Sequence, residues 1–148
     1  MLKITSPTQM YELGSRIGSR LTAGDLLILT GPLGAGKTAL AQGIGRSLGI
    51  SKITSPTFVI AKEYSGRIPL IHIDAYRLIS TPNSRIEFED LDLEANRETS
   101  ITVIEWGSGL GIKPTDGYLE IEIKFGEVED DRLISFKGHG ERWEGFKL

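Results

Sequence analysis

The stretch Gly31-Pro32-Leu33-Gly34-Ala35-Gly36-Lys37-Thr38 fits the phosphate-binding loop pattern G-x-x-x-x-G-K-[ST], and its flanks decide how the chain folds. Before it, Asp25-Leu26-Leu27-Ile28-Leu29-Thr30 is a short apolar run between Gly24 and Gly31, which reads as a buried strand. After it, Ala39 to Leu48 carries Leu40, Ile44 and Leu48 on one helical face and stops at Gly49. Strand, glycine loop and helix stand in the order that a phosphate cradle requires. The glycines let successive N–H groups point at an anion, and the helix presents its positive end to the same charge. Lys37 then reaches the β and γ phosphates, and the Thr38 hydroxyl is placed to ligate Mg²⁺, so ATP or GTP is the expected ligand.

The rest of the chain supplies a frame for this loop. Its 148 residues, 39% of them apolar, suit one domain spanning 1–148 with a core of its own. Cysteine is absent, which excludes disulfides, thiolate metal sites and a cysteine nucleophile. Nothing resembles a signal peptide and no apolar run approaches the roughly 20 residues of a membrane span, so a cytoplasmic protein is expected, without a membrane partner. A formal charge of −3 and the lack of any three consecutive basic residues argue against a chain that grips nucleic acid unaided.

In chain order, Leu2 to Thr5 reads as a short edge strand. Ser6-Pro7-Thr8-Gln9 has the form of a capping box, and Met10, Leu13, Ile17 and Leu21 recur at helical spacing, predicting a helix to about Leu21. Phe58 to Tyr64 and Ile68 to Ile73 read as a hairpin-like pair of strands around Ser65-Gly66-Arg67, with Pro69 marking an edge or an irregular end. Asp74 falls at the strand end, where open α/β sheets place their chemistry, although taken alone a helix-cap or turn role is the more ordinary use of Asp. Six acids between Glu87 and Glu98 describe a solvated face, or alternatively a surface for a basic partner; they lack the spacing of a calcium loop.

Ile101-Thr102-Val103-Ile104 is a β-branched apolar run that delivers Glu105 at its carboxyl end. Phosphate-loop proteins supply their metal-side carboxylate from such a strand, and a structural Glu–Lys pair is the alternative. Residues 107–117, with four glycines and one proline, read as loop. Leu119, Ile121, Ile123 and Phe125 alternate with polar residues and pair with Arg132 to Lys137 as an antiparallel hairpin expected at a sheet edge. His139 has no nucleophile motif near it and reads as ordinary surface.

The set Gly31 to Thr38, Ser55-Pro56-Thr57-Phe58, His72-Ile73-Asp74-Ala75-Tyr76-Arg77-Leu78 and Ile104-Glu105-Trp106 resembles the TsaE family, from the first helix to about Gly111. The resemblance implies a three-layer P-loop NTPase-like α/β fold with a mixed central sheet flanked by helices. It implies an Mg²⁺-dependent ATPase that acts as an accessory subunit in tRNA N6-threonylcarbamoyladenosine modification of the adenosine next to the anticodon, with TsaD and TsaB as partners and tRNA met only through their complex. Position by position, Gly34, Ala35, Gly36, Lys37, Thr38 and Ala39 would bind the nucleotide, and Thr38 and Glu105 would hold the metal. Lys37, Glu105 and Asp74 would serve catalysis, with Asp74 close to the metal or its waters. Thr57 looks like a switch residue, and Tyr76 and Trp106 would line the site. Pro32 stands where the family commonly has Asp, and no role follows for Arg132. A small-molecule kinase and a non-hydrolysing nucleotide-binding regulator share the loop; the first should add an Arg-rich lid, and the second would lack an acid such as Glu105.

Overall fold

A computed structural model describes residues 1–54, 61–75, 96–105 and 117–148. Its middle strand is the one before the glycine loop, β2 (Leu26–Thr30), in which every residue is buried. Around it lie β1 (Leu2–Ile4), β3 (Ala61–Tyr64), β4 (Leu70–Asp74), β5 (Ile101–Glu105), β6 (Tyr118–Phe125) and β7 (Arg132–His139). The order across the sheet is β1-β7-β6-β2-β5-β4-β3. The inner run β6-β2-β5-β4 is parallel, and antiparallel pairs of β3 with β4, β7 with β6 and β1 with β7 complete a mixed sheet.

The β6–β7 hairpin is not the edge that its alternation predicts. β6 pairs in parallel with β2, through Leu27 opposite Leu119 and Leu29 opposite Ile121, and the edge falls to β1. Alternation reports which face a strand buries, not how many neighbours it has: Leu119, Ile121 and Ile123 are fully buried on one face while Glu120 and Glu122 stay partly open on the other. The strand at Leu70 starts just after Pro69, whose carbonyl accepts from Ile101 N–H, so the proline sits outside the ladder and costs it nothing.

Among the described residues, two helices lie on one face. α1 (Pro7–Gly18) is capped by Ser6, whose hydroxyl accepts from Gln9 N–H at 3.2 Å, with Pro7 in the first turn. Gln9 reaches back one residue further than a capping box requires, its Oε1 accepting from Thr5 N–H at 2.9 Å. The helix stops at Gly18, short of Leu21, because the Ser19 hydroxyl donates to the Arg16 carbonyl and the chain turns; Leu21 is nonetheless buried in the core. α2 (Lys37–Ser47) buries Leu40 and Ile44 completely, each worth about 1.5–3 kcal/mol relative to exposure.

Glycines let the two helices touch backbone to backbone. A Cβ on Gly14 would lie 2.2 Å from the Leu40 carbonyl oxygen, and one on Gly43 would lie 2.0 Å from that of Tyr11. Behind the helices the main core joins Leu13, Ile17, Leu27, Leu29, Val103 and Ile121. On the opposite face Leu26, Ile71, Ile73, Ala75 and Ile104 form a second buried cluster, so both faces of the sheet are apolar and buried. The end of the chain closes the core: Trp143 is buried and meets Phe146 edge-on, and Arg142 clamps both oxygens of Asp25 at 3.0 and 2.9 Å.

Candidate phosphate-binding site

β2 hands the chain to the loop at Gly31. Its φ of +151° is costly for a side chain, and a Cβ there would sit 2.5 Å from the Ile123 carbonyl, so only glycine leaves β2 at this angle beside β6. Gly36, at φ +107°, caps α2 without a side chain, which keeps the first turn of the helix open to an anion. Lys37 is only 5% exposed and folds back over the loop, donating to the carbonyls of Gly31 at 2.8 Å and Pro32 at 2.9 Å. Burial pushes its pKa below the ordinary lysine value of 10.5, and the negative charges of Glu105 and Asp74 pull it partly back. Lys37 thus stands in the field of both acids.

Those acids arrive by strand register. Glu105 at the end of β5 is opposite Leu29 on β2 and Asp74 on β4, so the two carboxylates end adjacent parallel strands on the sheet edge from which the loop departs. Glu105 is buried, and its Oε1 lies 2.8 Å from Nε2 of the fully buried His72. Thr38 is half-buried in the first turn of α2. The structure therefore brings together Gly34, Ala35, Gly36, Lys37 and Thr38, and sets Asp74 and Glu105 within electrostatic reach of the lysine. Thr57, Tyr76 and Trp106 lie outside the described residues, as does most of the acidic segment.

Ala39 lines something else. A cavity of about 100 Å³ opens between Gly34, Ala35, Gly36 and Ala39 of the loop and helix, Ser6, Pro7 and Met10 at the start of α1, Asp130 in the β6–β7 turn and Arg132 at the start of β7. Arg132 crosses from that turn to the loop. Its Nε donates to the Ala35 carbonyl at 3.2 Å, another nitrogen donates to the carbonyls of Glu129 and Asp131, and its guanidinium lies 4.7 Å from the centre of the Phe125 ring. Neither Arg132 nor the start of α1 announces this in sequence, since the contact spans nearly a hundred residues. His72 did leave a signal: it is two residues before Asp74 in a strand, hence on the same face.

Among the described residues no group of three or more His, Asp and Glu side chains forms a metal cage. Mg²⁺ keeps its waters and is held through one or two carboxylates together with phosphate oxygens rather than by an all-protein shell. The donors beside the loop, the Thr38 hydroxyl and the Glu105 carboxylate, are hard oxygens of the kind it prefers.

Residues 4–134 match the family model for the threonylcarbamoyl adenosine biosynthesis protein TsaE. The chain is 44% identical to the tRNA threonylcarbamoyladenosine biosynthesis protein TsaE of Streptomyces coelicolor, over 90% of this chain and 93% of that one. It is 40% identical to the protein of the same name from Bacillus subtilis, over 96% of this chain and 87% of that one. The crystal structure of Bacillus subtilis YdiB superposes with a TM-score of 0.79 at 30% identity, covering 97% of this chain and 87% of the other. With a family match running from the first strand into the last, the chain belongs to the TsaE family.

Proposed function

We propose that this chain works in tRNA threonylcarbamoyladenosine biosynthesis as a nucleotide-driven subunit, binding ATP with Mg²⁺ at the loop and hydrolysing it. The role in that modification follows from the family; the ATPase chemistry rests on the site. The observation that carries it is the meeting of a buried loop lysine with two strand-end acids: Lys37 held over Gly31 and Pro32, and Glu105 beside Asp74 on neighbouring strands.

In this reading the N–H groups of Gly34 to Ala39 and the Lys37 ammonium bind and orient the phosphates, concentrating positive charge where the transferred group becomes more anionic. Thr38 and Glu105 would hold Mg²⁺, which when bound would neutralise phosphate charge. Asp74 orients the attacking water, with Thr57 as the residue that senses the γ phosphate. The cavity beside Ala39 takes the rest of the nucleotide, between the start of α1 and Arg132. The threonylcarbamoyl transfer itself belongs to the partner TsaD, acting with TsaB, and hydrolysis here drives or resets that complex. With a net charge of −3 this chain meets tRNA through the complex, and no described helix is long and apolar enough to cross a membrane, which fits work in the cytoplasm.

Phosphate release from ATP, measured for the chain alone, with TsaB and TsaD, and with small-molecule phosphate acceptors, tests the reading. Release stimulated by the protein partners is expected. Transfer to an acceptor would instead establish a kinase, and nucleotide binding without release under any condition would establish a regulator.

A further inference from the structure

His72 is the one buried histidine among the described residues, and it sits in a strand whose other members before the terminal Asp74, namely Leu70, Ile71 and Ile73, are apolar. An aliphatic side chain would pack there without any polar atom to satisfy. The imidazole instead carries a buried Nδ1 that has no hydrogen-bond partner among the described residues, and it spends Nε2 on Glu105 Oε1 at 2.8 Å. With Glu105 ionised, as a metal ligand must be, its oxygens only accept, so Nε2 carries the hydrogen and donates it. Register makes the contact specific: Val103 is opposite His72 and Glu105 is opposite Asp74, so the imidazole reaches one pleat forward, along the shared face, to the last residue of the neighbouring strand.

We propose that His72 is a positioning residue for the metal-side carboxylate: by fixing Oε1 of Glu105 it fixes the plane of that carboxylate, and with it the direction in which Oε2 is offered to Mg²⁺. This rests on the reading of Glu105 as a metal ligand given above. Carboxylates that bind metals are themselves held by hydrogen bonds, and removing such a partner typically weakens metal binding by about 10–100-fold.

The test is Mg²⁺ affinity, titrated calorimetrically into protein saturated with ADP, alongside ADP affinity in EDTA. His72→Leu should weaken Mg²⁺ binding by roughly 10–100-fold and leave metal-free ADP binding unchanged. His72→Gln, whose amide nitrogen reaches where Nε2 stood, should restore most of the loss. Wild-type Mg²⁺ affinity in His72→Leu, or a Gln variant no better than Leu, overturns the proposal. If His72→Leu does not fold, His72→Gln is compared with His72→Asn, whose amide is one bond too short; equal affinities for that pair overturn it as well. Glu105→Gln, measured in parallel, separates the two readings. If it keeps full Mg²⁺ affinity, the metal assignment and the positioning role fall together; if it loses affinity while His72→Leu does not, the positioning role alone falls.

Discussion

Replacing Lys37 by Ala removes the group on which the nucleotide reading depends most. The side chain is 5% exposed and its ammonium is already fixed over the loop by the Gly31 and Pro32 carbonyls, so bulk water does little to screen it. Two unit charges about 4 Å apart at an effective dielectric of about 20 attract by about 4 kcal/mol. Not all of this appears as affinity, because Glu105 and Asp74 already attract the same ammonium before a phosphate arrives. Allowing half for that competition leaves about 2 kcal/mol, or about a 30-fold rise in Kd. The substitution also strips two loop carbonyls of a charged donor, which costs about 1–3 kcal/mol per group where water does not replace it. Lys37→Met keeps the apolar stem and isolates the charge. Calorimetric titration with ADP and Mg²⁺, paired with thermal melts, reads both effects. Nucleotide affinity indistinguishable from wild type in both folded variants would refute the placement of phosphate at this loop.

Glu105→Gln should keep the fold, since its amide oxygen still accepts from His72, yet lose Mg²⁺-dependent hydrolysis, whereas Asp74→Asn should reduce turnover less; the reverse ranking in a phosphate-release assay would move the metal-side role to Asp74. Because burial lowers the Lys37 pKa, the folded chain gives up this proton before the unfolded chain does, so its contribution to stability rises with pH between that lowered value and 10.5. Nucleotide binding needs the ammonium and should therefore take up protons across the same alkaline window; titrations in buffers of different ionisation enthalpy measure this, and proton release would contradict it. Gly14→Ala drives a methyl group into the Leu40 carbonyl and should cost about 1–3 kcal/mol, a fall in Tm of about 3–10 °C; an unchanged Tm would mean that the helices separate freely. The isolated chain should bind tRNA weakly and with strong salt dependence, and tight binding that survives high salt in a filter or anisotropy assay would contradict a purely indirect encounter.

The parts of the fold that sequence made legible are those written in local pattern. The apolar run before Gly31, the helix that buries Leu40, Ile44 and Leu48, and the β5 run ending in Glu105 all stand where their periodicity puts them. What pattern could not convey was neighbourhood. The alternation of Leu119, Ile121 and Ile123 is the same for a strand at an edge and for one inserted beside β2, and only long-range pairing decides between them. Helical spacing carried α1 on to Leu21 because that residue is indeed buried, though by a turn rather than by a further turn of helix. At the site, Lys37, Thr38, Asp74 and Glu105 were legible because a loop motif and two strand ends fix where they go. The grip of Arg132 on Ala35 depends on a hairpin folding back across nearly a hundred residues, and no local signal encodes it.

That grip has a kinetic side. A glycine-rich loop left to itself would sample many shapes, and closing it round an anion would cost about 1–2 kcal/mol of backbone entropy for each residue ordered. With Arg132 drawing on the Ala35 carbonyl from outside and Lys37 drawing on those of Gly31 and Pro32 from within, the curve of the loop is set when the chain folds rather than when the ligand lands. If the loop takes a nucleotide as proposed, capture would then be a single diffusional step with no slow rearrangement behind it, and loosening the guanidinium would show itself first as a second, concentration-independent phase in stopped-flow binding traces.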